Sequence, residues 1–246
     1  MTKVFIDGSA GTTGLRIEER LSGRTDIELI KIEEAYRKDA AARKDAINRA
    51  DIAFLCLPDA AAIEAVSLVE NDATAVIDTS TAHRVADGWV YGMAELVGQR
   101  EKIAKSNRIA NPGCHASGFI ALVEPLVSAG VIAPSTPLSA FSLTGYSGGG
   151  KKMIAQYEAD GRDPLLDAPR QYGLSQSHKH LPEMVKICGL DAAPVFCPIV
   201  GDFYAGMEVT VALHGVDKKQ VEEVYLTRYA NGLIRYRSQA DESGFL

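Results

Sequence analysis

Long apolar runs are missing from this chain of 246 residues, and none approaches the length that spans a bilayer, so a membrane partner is not expected. Met1 leads straight into a strand-like Lys3-Val4-Phe5-Ile6, which leaves no room for a signal peptide and predicts a cytoplasmic protein. Excess positive charge is lacking too. Lys and Arg number 26 against 32 Asp and Glu, and no basic stripe offsets the net charge of −6, which argues against nucleic acid as a partner. Cysteine is scarce: four residues, at 56, 114, 188 and 197, form no C-x-x-C pair and no metal-ligand spacing. They are expected to be reduced thiols, with no bound metal. Internal repeats and low-complexity segments are absent. What remains, 46% hydrophobic and 24% charged, is the balance of a folded globular protein and excludes disorder.

The first hundred residues alternate strand and helix. Val4–Ile6, Ile27–Ile32, Ile52–Leu57 and Ala75–Ile77 read as strands. The stretches after Gly8, over 39–50 and over 60–69 read as helices. Continuous apolar strands separated by helices predict a parallel sheet covered on both faces, in a doubly wound, Rossmann-like α/β fold. The second half changes character. Gly and Pro cluster at 130–137 and 145–150, strands at 138–143 and 208–213 alternate, and helices fall at 115–128 and 218–230. That pattern predicts an α+β domain on a larger mixed sheet, with the boundary at 113 and 114 giving domains 1–113 and 114–246.

Gly8-Ser9-Ala10-Gly11-Thr12-Thr13-Gly14 joins the first strand to the first helix. Glycines there permit a tight turn and close approach of a pyrophosphate to the helix N-terminus. A purely structural turn is the bland alternative, but its place at the first strand–helix turn favours dinucleotide binding. Glu33 and Glu34 stand where an acid would hold a ribose 2′-hydroxyl, and Arg37 and Lys38 follow where they could neutralise a 2′-phosphate. A solvated charged loop explains all four equally well, so NAD and NADP both stay open on these residues.

Ile109-Ala110-Asn111-Pro112-Gly113-Cys114-His115 places Cys114 where a strand breaks and an apolar helix begins. A helix N-terminus lowers a thiol pKa and favours the attacking thiolate. Cys56 lies inside an apolar strand and reads as a small hydrophobe, as do Cys188 and Cys197. His178-Lys179-His180-Leu181-Pro182-Glu183 sets two histidines two apart, on one face if the segment is extended. Imidazole supplies the acid/base that thiolate chemistry needs. A surface pair, or half of a metal site, is the alternative, and metal is disfavoured because no third and fourth ligand is evident nearby. His83, His115 and His214 are weaker candidates, with His115 expected to shape the pocket mouth or cap the helix.

These pieces, in order, resemble the shorter branch of the N-acetyl-gamma-glutamyl-phosphate reductase family, within the semialdehyde dehydrogenases. The resemblance runs over essentially the whole chain and is most specific at Gly8–Gly14 and Asn111–Cys114. It implies a homo-oligomeric oxidoreductase that uses NADP (NADPH) on a small acyl phosphate in arginine biosynthesis, through a thioester on Cys114. It further implies His180 as the acid/base with His178 beside it, and the Gly8–Gly14 turn, Arg37, Lys38 and Ser80 at the cofactor. Arg84, Asn111, Ser147 and Lys151 are candidates for the substrate and its phosphate, each with a solvated or structural alternative; Lys152 stands beside Lys151. An aspartate-semialdehyde dehydrogenase-like enzyme and a non-catalytic dinucleotide sensor are the competing readings. Family members continue for several tens of residues past the apolar stretch Glu242-Ser243-Gly244-Phe245-Leu246, through a glycine-rich segment and a last helix that return to the cofactor domain. Either the chain is truncated at 246 or the rest is not included.

Overall fold

The computed structural model describes residues 1–9 and 11–239. Ala10, the side chain of Thr12 and the stretch Glu242–Leu246 lie outside the described residues. The chain divides into two compact units, Met1–Pro112 and Gly113–Leu246.

In the first unit β1 (Thr2–Asp7), β2 (Ile27–Ile30), β3 (Ile52–Leu55), β4 (Ala75–Asp78), β5 (Val90–Tyr91) and β6 (Arg108–Ala110) form one sheet in the order β2-β1-β3-β4-β6-β5. Every pairing in it is parallel. The helices are α1 (Thr12–Ser22), α2 (Ala40–Arg49), α3 (Asp59–Ser67) and α4 (Gln99–Ala104). Phe5, Ala46, Ile47, Ala50, Ala53, Leu55, Ala65 and Val76 make the core between the sheet and α2 and α3. The alanines let these helices lie close on the strands, and each large apolar side chain buried there contributes about 1.5–3 kcal/mol. Strand order reverses at β1, and the glycine turn that follows β1 sits at that reversal.

That reversal explains the first glycine. Gly8 has φ +85°, and a Cβ there would sit 2.3 Å from the carbonyl oxygen of Cys56, at the end of β3. A Cβ on Gly14 would sit 2.4 Å from the Gly8 carbonyl oxygen, so the first turn of α1 rests directly on the turn below it. Gly8→Ala is expected to cost roughly 2–4 kcal/mol, strain and overpacking together. Urea unfolding measures this, and a loss under about 0.5 kcal/mol, the size of an ordinary surface change, would contradict it.

The second unit carries β7 (Ser139–Gly145), β8 (Arg170–Gln171), β9 (Val195–Gly201) and β10 (Met207–Val211), ordered β10-β7-β9-β8, with α5 (Cys114–Ser128), α6 (Gly150–Tyr157), α7 (Leu181–Cys188) and α8 (Lys218–Arg228). β7 and β9 are parallel and the outer pairs antiparallel, so the sheet is mixed. It is smaller than the first, four strands against six among the described residues, which corrects the expectation of a larger one. The long span between β7 and β9 goes into α6, α7 and turns, and yields only the two-residue β8.

Helix α5 is the axis of this unit. Phe119, Ile120, Val123 and Leu126 are fully buried along it. Gly118 lets β10 close on the helix, since a Cβ there would meet Val209 Cγ2 at 2.5 Å. Pro125 has no N–H to offer the carbonyl four residues back. That carbonyl, of Ala121, accepts the Tyr229 hydroxyl at 2.6 Å instead, while Tyr225 donates to Leu122 O at 2.5 Å, which fastens α8 to α5. No helix among the described residues is long and apolar enough to cross a membrane.

Candidate active site

Cys114 is the first residue of α5, and Gly113 before it is extended (φ −72°, ψ 144°) with no side-chain cap. The start of the helix is held from below. Gly113 N–H donates to Glu183 Oε2 at 2.9 Å, and Glu183 is 1% exposed. Cys114 itself is exposed. An exposed thiol at the positive end of a 15-residue helix is in the setting that favours thiolate. The other cysteines differ. Burial pushes the Cys56 thiol up to about 11, and burial drives that of Cys188 higher still.

His115 points the other way, into the unit. Its Nδ1 meets Ser142 Oγ at 2.6 Å and its Nε2 meets Tyr172 Oη at 2.8 Å. Burial, then the neighbouring His178, pushes it down to about 4, so it is neutral at physiological pH. It neither caps the helix nor shapes a mouth, as the sequence had suggested; it ties α5 to β7 and to the segment after β8. Tyr172 is pushed up to about 12 by burial and, after that, by the charge of Cys114. Its phenol therefore stays protonated beside the thiol.

The two histidines do not lie on an extended segment. His180 precedes α7 in helical conformation (φ −85°, ψ −14°), because Pro182 sets the first turn of that helix. The bend still brings the rings together: His178 and His180 are 4.8 Å apart between centroids, and His115 is 5.4 Å from His180. His180 is buried, and the ligand atoms of Cys114, His115 and His180 all lie within 4.8 Å of one another. This is a third metal-type ligand that the spacing in the sequence had not suggested. Both ring nitrogens of His115 are, however, already engaged by hydroxyls. His178 is less buried; burial and Lys179 lower its pKa, and its Nδ1 accepts the His180 backbone N–H at 3.3 Å. Tyr172, Ser142 and Glu183 were missed as site residues. Only Glu183, in His-x-His-x-Pro-Glu, carried a signal in the chain.

Ser147 lies in the 3₁₀ turn Tyr146–Gly149, its N–H donating to Tyr204 O at 2.9 Å, and Lys151 is exposed on α6.

In the first unit, Gly8 and Ser9 line a cleft of about 150 Å³ with Asp7, Glu18, Lys31, Glu34 and Arg37. The missing side chains at Gly8 and Gly14 let the turn fold tightly onto Cys56 and onto itself, which brings its backbone to the edge of this cleft at Gly8 and Ser9. No side chain caps α1, and Thr13 is exposed in its first turn. Arg37 pairs with Glu34 at 3.1 Å on the cleft wall, whereas Lys38 is exposed and outside the lining. Ser80 is buried, its hydroxyl donating to Asp78 Oδ2 at 2.7 Å. Arg84 donates to Asn111 O at 3.0 Å and Thr79 O at 2.9 Å, bracing the end of β4 against the segment after β6; Asn111 Nδ2 reaches Pro112 O at 3.1 Å.

A doubly wound parallel sheet with a glycine cradle, and a mixed-sheet unit with a cysteine at an open helix start beside histidines, define a semialdehyde dehydrogenase. The family model for the semialdehyde dehydrogenase NAD binding domain matches residues 3–106, and that for the semialdehyde dehydrogenase dimerisation domain matches 114–240. The structure resembles aspartate semialdehyde dehydrogenase II of Vibrio cholerae, complexed with ASA, at a TM-score of 0.65 and 14% identity over 93% of this chain and 80% of that one. It also resembles aspartate semialdehyde dehydrogenase with NADP from Candida albicans, at 0.64 and 14% over 92% and 76%; both likenesses are of fold. N-acetyl-gamma-glutamyl-phosphate reductase of Rhizobium meliloti (strain 1021) is 47% identical over 99% of this chain and 82% of its own length. That of Sinorhizobium medicae (strain WSM419) is 52% identical over 86% and 69%. The chain belongs to the N-acetyl-gamma-glutamyl-phosphate reductase family.

Proposed function

We propose that the chain reduces N-acetyl-gamma-glutamyl phosphate to N-acetylglutamate semialdehyde and phosphate with NADPH, a step of arginine biosynthesis in the cytoplasm. The observation that carries this is the placement of Cys114 at the start of α5 with His180 in the same cluster, within 4.8 Å. In this reading the first unit binds the cofactor and the second carries the chemistry. Cys114 thiolate attacks the acyl-phosphate carbonyl. The oxyanion faces N–H groups of the first turn of α5, each such donor worth roughly 3–4 kcal/mol. The bond to phosphate then breaks and leaves a thioester on Cys114. Bound NADPH supplies the hydride that takes the thioester to the aldehyde level. His180 protonates the adduct oxygen and takes the proton back as the C–S bond opens, which returns the thiolate. His178 holds the His180 backbone, and Tyr172 and Ser142 fix His115 behind the nucleophile. The test runs in reverse: phosphate-dependent NADP reduction with N-acetylglutamate semialdehyde and with aspartate semialdehyde. Turnover of the first alone supports the assignment; preference for the second, or none for either, overturns it.

NADP is assigned over NAD on Arg37, the one member of the Arg37–Lys38 pair on the cleft wall. Arg37→Ala is expected to weaken NADPH binding about tenfold or more, the loss of one charge-assisted contact, and to leave NADH nearly unchanged. Titration by cofactor fluorescence decides; equal losses for both would sink the assignment.

The homo-oligomer is placed on the outer face of the second sheet. Phe141, 51% exposed, lies beside Cys197 there, with the Leu143–Ile199 pair on one side of it along the strands and Val195, 55% exposed and opposite Ser139, on the other. An apolar sheet face of this kind calls for a second copy, and the matching dimerisation-domain model supports one. Phe141→Asp is expected to reduce the mass measured by light scattering to that of one chain with the circular dichroism unchanged. An oligomer that survives the change contradicts this face.

A further inference from the structure

The sequence argued against metal because ligands were lacking; the fold gathers them. Sγ of Cys114 and a nitrogen from each of His115 and His180 lie within 4.8 Å of one another. A tetrahedral zinc ion holds sulfur at about 2.3 Å and imidazole nitrogen at about 2.0–2.1 Å, which sets ligand atoms roughly 3.5 Å apart. Binding therefore requires the three side chains to close up from the observed spacing, and Cys114 is exposed at the start of α5. The donor set, one thiolate and imidazoles, is soft and suits zinc or cobalt; magnesium and calcium prefer oxygen.

We infer that Cys114, His180 and His115 form a reversible, inhibitory site for a thiophilic divalent cation, with water in the fourth position. The ion takes the thiolate lone pair that would attack substrate and the imidazole that would move the proton. Its hold is weaker than that of a built structural site. His115 must first release a hydroxyl, because Ser142 and Tyr172 occupy its two nitrogens at 2.6 and 2.8 Å. Glu183, 1% exposed, is engaged by Gly113 N–H at the helix start and is not one of the ligands. Binding of the ion does not depend on the reductase reading; only its inhibitory effect rests on it.

The test is a cobalt titration of the metal-free full chain, without substrate, followed by thiolate-to-cobalt charge-transfer absorption. The wild type is expected to show the band, zinc to displace it, and magnesium to leave it. Cys114→Ser should abolish it. His180→Asn should weaken cobalt binding by about 100-fold or more, since loss of even an outer partner costs 10–100-fold. Zinc should also protect Cys114 of the wild type from iodoacetamide, a reading that needs no variant to fold, and should inhibit NADP reduction over the same concentration range. A band that persists in Cys114→Ser, no band at saturating cobalt, or no protection of Cys114 overturns the site. Cobalt binding with Cys114 protected but no enzymatic turnover in any condition would keep the site and discard the reductase reading.

Discussion

Replacing Cys114 with serine is expected to lower kcat by at least about 10⁴-fold, the scale seen when a covalent nucleophile is removed. Serine keeps the size and the place at the start of α5, but its hydroxyl is not ionised there at neutral pH, so the first bond to the acyl carbon does not form. The fold should survive, because Cys114 is exposed and the helix is held elsewhere, by Glu183 on Gly113 N–H and by Phe119, Ile120, Val123 and Leu126 in the core. NADPH binding should be unchanged. Iodoacetamide near pH 7 should label Cys114 first, since burial raises the thiols of Cys56 and Cys188 well above the ordinary range. A serine variant with more than about a hundredth of wild-type kcat, or activity lost in step with labelling of Cys197, would mean that the nucleophile is elsewhere.

His180→Asn is the second large effect. A group that gives and takes a proton in the rate-limiting step contributes roughly 10²- to 10⁴-fold, and that loss should fall on kcat with NADPH affinity intact. The acidic limb of the pH–rate profile should vanish or move with it. His115 cannot supply that limb: held at about 4 by burial, it stays neutral across the working range and charges only as pH falls toward that value. Its depressed pKa contributes stability above the ordinary histidine range, and that contribution is lost as pH drops through about 6.5 toward 4. His178→Asn should cost less, because its part is to hold the His180 backbone. If His178→Asn proves the more damaging change, the two roles are exchanged.

The chain was most legible where one local rule governed. Val4–Ile6 and Ile52–Leu55 are continuous apolar runs, and they are buried parallel strands at the centre of the first sheet. The Gly8–Gly14 turn could be read because tight turns leave few choices of residue. Cys114 could be placed because Pro112 and Gly113 end one element and an apolar helix follows. Legibility failed where distant segments decide. β9 contains Pro198, which speaks against an inner strand, yet Pro198 pairs opposite Ser142 in a parallel ladder and accepts the Tyr172 N–H at 3.1 Å through its carbonyl. His115 finds Ser142 and Tyr172, 27 and 57 residues away, and nothing in its neighbours along the chain announces either. The helical turn at His180 was foreshadowed by Pro182, a first-turn proline, but the two-residue spacing of the histidines suggested extension.

A thioester on Cys114 can be trapped directly. The full chain is given N-acetylglutamate semialdehyde and NADP with phosphate left out, so that the aldehyde adds to the thiol, hydride passes to NADP, and no acceptor follows. Intact-mass and peptide-mapping spectra are then recorded after rapid acid quench. One acyl group per chain is expected, on the peptide that contains Cys114, discharged when phosphate is added back. An unmodified Cys114 peptide with NADPH still formed, or an acyl group on another cysteine, would contradict it.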